Sequence, residues 1–597
     1  MAKGYNTAFS STVMANLKFE QKLDFITEGL SASALFSFKN WSSTTTKRSA
    51  NYNQFQVIDY DSDNLSDYTL GRIGTEQSTV LNTESENTGD RRIYWQAMIN
   101  YDRTFGGLHN VSGMLLYNQD QYDTNNPSSL IASLHQRKQG LAGRVTYAYD
   151  YKYMGELNFG YNGSENFAEG HRFGFFPSVA LGYTISREDF FEPLSDIITN
   201  LKLRASWGLV GNDQISGERY LYLSDINLQD GDLSYTTGRD QDVTKNGPKY
   251  LRYPNNDITW EVGSKWNLGM DLSLWNSFNF TLDVFKEIRS DIFMERQQIS
   301  DYWGISGYDK WMNLKTKVYG NLGKVENKGL DFSVDYAKKI NKDWDISFKG
   351  TFTYAHNTIL EYDEPDFQKY PNLSRVGHSV DQQLLYIADD HLFIDDEEVR
   401  RSPEQKLGGW VQAGDIKYKD LPNVNGVCDG IIDSNDRQYT GNPTTPEIVY
   451  GFGPSIRWKN WDLSLFFQGA AKVSIIMRDM HPFGNTNTRN VLQYIADDYW
   501  SETNQNIHAA YPRLSKSDND NNTQLSTYWQ RNGAFIKLKN AEIGYTHKFF
   551  RVYLRGSNLL TFSPFKYWDP EMGGGNGLSY PTQRVVNFGI QFSLNNN

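Results

Sequence analysis

From Val586 to Leu594 the chain is apolar at every second residue: Val586, Phe588, Ile590, Phe592 and Leu594, with Asn587, Gly589, Gln591 and Ser593 between them. Successive side chains of a strand point to opposite faces, so Arg584 to Leu594 predicts a strand with one apolar and one polar face. Taken alone, such a strand fits the half-buried edge of a soluble sandwich or the last strand of a membrane β-barrel. The same period recurs upstream. Trp344, Ile346, Phe348, Gly350, Phe352 and Tyr354 oppose Asp345, Ser347, Lys349, Thr351 and Thr353, and Phe278, Phe280, Leu282 and Val284 oppose Asn279, Thr281 and Asp283.

The connections between these strands alternate in length. Asn276-Ser277, Asn341-Lys342-Asp343, Lys459-Asn460 and Lys548-Phe549 read as tight turns, whereas Gly211 to Asp257, Leu360 to Pro446, 474–533 and Ser563 to Thr582 are long and polar. A sandwich has no reason to gather its long connections at one end; an outer-membrane barrel puts short turns in the periplasm and long loops outside. The alternation therefore predicts an all-β chain, an antiparallel transmembrane β-barrel of about 19 strands of the usual length.

Composition agrees. Hydrophobic residues make up 39% of the 597 and mean hydropathy is −0.62, yet 15% are aromatic, which suits strands with one apolar face and interfacial aromatic girdles. No run of about 18 apolar residues exists, which excludes transmembrane helices, and the first residues lack the apolar core of a secretory signal. No compositional break divides the chain, so 1–597 reads as one domain with 360–446 and 474–533 as long extracellular loops. Cys428 is the single cysteine, which excludes an intrachain disulfide and a thiolate zinc cluster. The formal charge of −12 is dispersed, which argues against a nucleic-acid partner.

Four stretches carry a family resemblance: Gly143 to Tyr153 with Arg172 to Ser186; Ile258 to Asp271; Gly320 to Asp331; and Gly533 to Tyr545 with Val552 to Phe562, Asp569-Pro570-Glu571 and the final strand. In this order they resemble the SusC-like (SusC/RagA) branch of TonB-dependent outer-membrane transporters. That resemblance implies a barrel of about 22 strands, an N-terminal plug domain, a SusD-like surface lipoprotein over the mouth, and import of oligosaccharides or, in some members, peptides. Neither plug nor TonB-contacting segment is recognisable here, so energy coupling through TonB would need a plug region absent from this sequence. The expected location is the outer membrane, among its lipid. The reading is of a C-terminal barrel portion whose last strand lacks the family's first strand as neighbour, leaving that edge unpaired or in parallel contact with Val13 to Phe25. Two alternatives stand beside it: a soluble or surface glycan-binding β-protein, and a non-functional truncated gene product.

Candidate sites are few. In the twelve-residue spacing of a calcium loop, Asn425 falls at position one, Asp429 at five, Ile431 at seven as a backbone ligand, Asp433 at nine and Asp436 at twelve. Val427 at position three cannot ligate, Asp420 is near enough in sequence to replace it, and an Asx-rich turn explains the same residues. Calcium here would stiffen a loop; no cofactor is required. Sugars offer apolar faces ringed by hydroxyls, so loop aromatics are the substrate candidates: Trp303, Tyr308, Trp311, Trp410, Tyr418, Tyr499 and Trp500. Trp260, Trp344 and Trp461 at strand ends read as girdle residues. Acid pairs such as Asp389-Asp390 read as solvated loop. No nucleophile elbow, H-E-x-x-H or phosphate-binding loop occurs, and the chain is not expected to be an enzyme.

Overall fold

Residues 4–60, 66, 68–77, 80–215, 217–298, 318–478, 492–515 and 519–593 are described in a computed structural model of the chain. Seventeen strands form one sheet: β1 (Gly4–Lys22), β2 (Leu30–Ser49), β3 (Asn82–Phe105), β4 (His109–Thr124), β5 (Gln136–Tyr149), β6 (Tyr153–Ser164), β7 (Phe173–Thr184), β8 (Ile198–Asn212) and β9 (Glu261–Leu274) lead into the second half. There follow β10 (Phe278–Glu295), β11 (Tyr319–Lys339), β12 (Trp344–Glu361), β13 (Ile448–Trp458), β14 (Trp461–Ala471), β15 (Phe535–His547), β16 (Phe550–Phe562) and β17 (Val585–Phe592). Each pairs antiparallel with the next from β1 to β17.

Among the described residues the sheet has seventeen strands, against the nineteen or so expected. Gln54–Tyr60 with Tyr68–Ile73, and Asp225–Thr237 with Val243–Arg252, are two-stranded hairpins outside the sheet, the second within a stretch that reads as a long loop. Among the described residues no pairing joins β17 to β1. Both run from the long-loop end to the short-turn end, so direct contact between them would be parallel; the edge is unpaired rather than parallel to β1.

The tight turns explain why neighbours stay antiparallel and in register. Gly106 and Gly107 have φ of 57 and 72, Asp150 and Tyr151 50 and 52, and Trp275 and Asn276 50 and 49. Two consecutive left-handed residues make the turn whose twist matches that of the flanking strands.

Register converts the alternation into surfaces. Leu181, Ala205, Leu268, Val284, Leu330, Tyr354 and Ile448 lie side by side in one row across seven strands. Leu181 and Leu268 are 62% and 65% exposed, and an apolar band of this extent is stable only against lipid. On the opposite face Arg204 pairs with Asp271 and Asp283 at 3.0 and 3.1 Å, Arg144 with Glu156 at 2.8 Å, and Thr353 donates to Asp331 at 2.7 Å. That face is the lumen. Trp344 stacks near Trp458, and Trp461 near Tyr545, at the short-turn end of the outer face, as girdle residues should. Trp260 departs from that expectation: it is buried against Phe167 and Phe176 in a small core at the loop end.

Candidate functional site

The long loops do not hang free. Segments 362–447, 472–478, 492–515, 519–534 and 563–584 fold together over the loop end around a core that includes Leu392, Ile416, Tyr418, Ile495, Tyr511, Trp529 and Phe565. Short pairings close two of these loops on themselves, Gln383–Tyr386 with Arg437–Thr440 and Ser474–Ile476 with Gln530–Asn532, and single bridges, Tyr386 with Ser526 and Met477 with Gly575, join one loop to the next. At the centre Asp415 is fully buried. Its carboxylate takes Arg513 Nε at 2.8 Å, Asn519 Nδ2 at 3.1 Å, Asn522 Nδ2 at 2.8 Å and the Gln412 N–H at 2.9 Å, the full donor set a buried carboxylate requires. A second anchor fastens the last loop to the wall. Lys537 on β15, 1% exposed, donates to Asp569 and Glu571 at 2.6 Å each, and Lys539 donates to Glu571 at 2.7 Å. Burial pushes both carboxyls up, but the lysine hydrogen bonds outweigh it and hold both below the ordinary carboxylate range.

Beneath this module, on the lumen face, lies a cavity of about 660 Å³ walled by β10, β11 and β12. Glu287, Asn327 and Asn357 stand side by side in register, with Arg289 bonded to Glu287 at 3.0 Å. The loop above contributes Arg375, which donates to the Tyr362 hydroxyl at 3.1 Å and covers its ring at 5.0 Å, and Asp381, which accepts from Thr445 at 2.5 Å. Donors and acceptors of both charge signs thus face one open cleft, suited to holding a polar solute through many weak contacts. Sequence reading missed these residues because they are simply the polar half of the alternation; the pairing register had to be known to bring them together.

The expected aromatic platform is dispersed. Tyr418 is buried, donating to the Asn521 carbonyl at 2.7 Å, and burial pushes its phenol well above the usual range. Trp500 is buried and Tyr499 half-buried in the same core. Tyr418 and Trp500 are part of that core, and Tyr499 packs against it with one side still open. Trp410 is 85% exposed, in a loop bent by Gly408 and Gly409 at φ of 89 and 81. Trp303, Tyr308 and Trp311 lie outside the described residues.

In the 419–437 loop, Asp436 is 4% exposed and accepts the Leu421 and Asp433 N–H groups at 2.8 Å each. Burial pushes its carboxyl up, and the charges of Asp420 and Asp433 push the same way. Asp420 Oδ2 accepts from the Gly430 N–H at 2.7 Å, while its Oδ1 is buried without a partner. Asp429 and Asp433 accept the N–H two residues on, at 3.0 and 2.8 Å. Asn425 and Asp429 are exposed and Ile431 half-buried. The loop is rich in oxygens, but among the described residues no three of its carboxylates bring ligand atoms within 4.8 Å of one another, and most of them are spent on N–H groups of the loop itself, as in an Asx-rich turn. A second acidic group, Asp389, Asp390 and His391, is already neutralised from within: Lys417 reaches Asp389 and Glu398 at 3.2 and 2.8 Å, and His391 reaches Asp390 and Glu398 at 2.6 and 3.0 Å.

A family model described as TonB dependent receptor-like, beta-barrel, matches residues 4–559. The chain belongs to the TonB-dependent receptor barrel family. TonB-dependent receptor P3 of Formosa agariphila is 26% identical across 98% of this chain and 56% of its own length. TonB-dependent receptor SusC of Bacteroides thetaiotaomicron is 24% identical across 82% of this chain and 46% of its own. A solved structure of the RagAB peptide transporter superposes with a TM-score of 0.71 at 18% identity, covering 98% of this chain and 62% of that one, which shows the shared fold. This TonB-dependent receptor barrel is SusC-like, resides in the outer membrane, and spans about half the length of the relatives it matches.

Proposed function

We propose that this barrel forms the conduit and the extracellular recognition surface of an importer for oligosaccharides or peptides, acting with a SusD-like lipoprotein and energised by TonB through a plug region. The supporting observation is the lumen cavity beneath the loop module, where Glu287, Asn327, Asn357 and Arg375 converge. A solute captured by the loops meets a wall able to donate and accept at every step, and each weak contact lets it move on. No bond is made or broken on this reading, so the barrel acts as a transporter rather than an enzyme.

The test is uptake in the native host. Glu287→Gln with Asn357→Ala should lower import of the cognate oligosaccharide or peptide several-fold while leaving outer-membrane abundance unchanged. Unaltered import by that variant, or unaltered growth on every glycan and peptide source after gene deletion, contradicts the proposal.

A further inference from the structure

The outer face carries, at its loop end, a feature that neither conduit nor recognition loops explain. Across β3 to β7 the outward residues form horizontal rows. Ala97, Tyr117, Leu141, Tyr161 and Phe175 make an apolar row; one step towards the loops follow Trp95, Gln119, Gln139, Gly163 and Phe173. One step further Gln121 stands beside Arg137. Each step is about 7 Å along a strand, so apolar, amide and cationic layers succeed one another within the depth of a lipid headgroup.

These layers enclose a cleft of about 480 Å³ whose wall includes Trp95, Gln119, Gln139, Arg137, Arg172 and Phe173. The amides are fixed: Trp95 Nε1 donates to Gln119 at 3.1 Å, Gln119 donates to the Tyr117 hydroxyl at 2.6 Å, and that hydroxyl donates to Gln139 at 3.0 Å. The cations are less satisfied. Arg137 gives its Nε to Gln121 at 3.2 Å and faces its one carboxylate, Glu165, at 3.8 Å, and Arg172, exposed, gives its Nε to the Phe167 carbonyl at 3.3 Å and has no carboxylate within ion-pair distance among the described residues. Further round the same face Lys286 and Lys328 stand side by side against the single Glu326. In a chain of net charge −12, this band concentrates positive charge above the apolar belt, where it complements an anionic membrane surface.

We propose that the cleft binds a phosphorylated glycolipid of the outer leaflet. Arg137 and Arg172 receive a sugar phosphate, the Gln119 and Gln139 amides meet the sugar, and the acyl chains descend along the Tyr117 and Phe175 row. Guanidinium groups suit this task because they offer several donors to one phosphate. The inference rests on the outer-membrane reading but not on what the barrel imports.

The experiment uses the full chain extracted from outer membranes in mild detergent, titrated with bisphosphorylated lipid A, its fully dephosphorylated form, and phosphatidylglycerol, with bound lipid counted by native mass spectrometry. The bisphosphorylated form should bind at least about tenfold tighter than the dephosphorylated one, as expected for one lost charge-assisted contact. Arg137→Gln with Arg172→Gln should abolish that preference, and Arg144→Gln on the lumen face should keep it. Equal binding of the two lipid A forms, an equal preference for phosphatidylglycerol, or a preference surviving in the double variant overturns the proposal; the first comparison needs no variant to fold. Absence of the chain from the outer membrane would instead sink the barrel reading itself.

Discussion

The strand wall and the loop module obey opposite rules within one chain. In the wall, Leu181, Leu268 and Val284 face outwards and stay exposed, while Arg204, Asp271 and Asp283 are paired inside. In the module, Ile416, Ile495 and Tyr511 are buried and polar groups surround them, as in any protein folded in water. The difference lies in the solvent each region meets: lipid takes the apolar side of a strand, whereas water drives apolar side chains of a loop into a core. The wall is held by backbone pairing from strand to strand, and the module by burial and by charges that are expensive to leave unpaired.

Removing one buried charge should separate the two regions most sharply. Asp415→Ala leaves Arg513 without its carboxylate inside the module, a loss of about 3–5 kcal/mol. Protease should then cut the 362–447 and 472–534 segments while the wall keeps its heat-dependent shift on a gel; a module as resistant as the parent's would show that Asp415 does not hold it. The converse variant is Leu181→Arg, which sets a charge against lipid at a cost of about 2–4 kcal/mol near mid-membrane. Insertion into lipid vesicles should fall, and Ser178→Arg, on the lumen face of the same strand, should insert nearly as well as the parent. Equal effects of the two would erase the assigned inside and outside.

A smaller effect follows from acid. Asp569 and Glu571 have depressed values in the folded chain because Lys537 and Lys539 hydrogen-bond them. Their contribution is therefore fully present above the unfolded carboxylate values, about 4, and is lost as pH falls through the lower folded ones. Protection against hydrogen exchange around 563–584, taken relative to the intrinsic rate at each pH, should fall below about pH 4 before that of the β12–β13 pairing does. Simultaneous loss of both would mean that the anchor is not local.

Much of the wall was legible because alternation has a period of two and lipid makes it strict: the residues from Trp344 to Tyr354 and from Phe278 to Val284 appear where their pattern puts them. The number of strands was less so: about 19 were expected and seventeen pair in the sheet among the described residues, while hairpins of the long connections, such as Asp225–Thr237 with Val243–Arg252, were not marked by any alternation. The loops were least legible. Tyr418 and Trp500 are ordinary sugar-platform residues by type, and only the meeting of segments 100 residues apart, Tyr418 with Asn521 for example, shows that they are core. The lumen cavity was hidden for a related reason: Glu287, Asn327 and Asn357 become neighbours only through pairing across three strands.

Cys428 gives the most direct test of the whole arrangement. It is the only cysteine, exposed, and in a loop of the module, which the proposed orientation puts on the outer side of the membrane. A maleimide too large and too charged to cross the outer membrane should label it on intact cells expressing the chain, without permeabilisation. Labelling that appears only after the outer membrane is opened would contradict the orientation, and with it the assignment of lipid face, lumen and recognition surface.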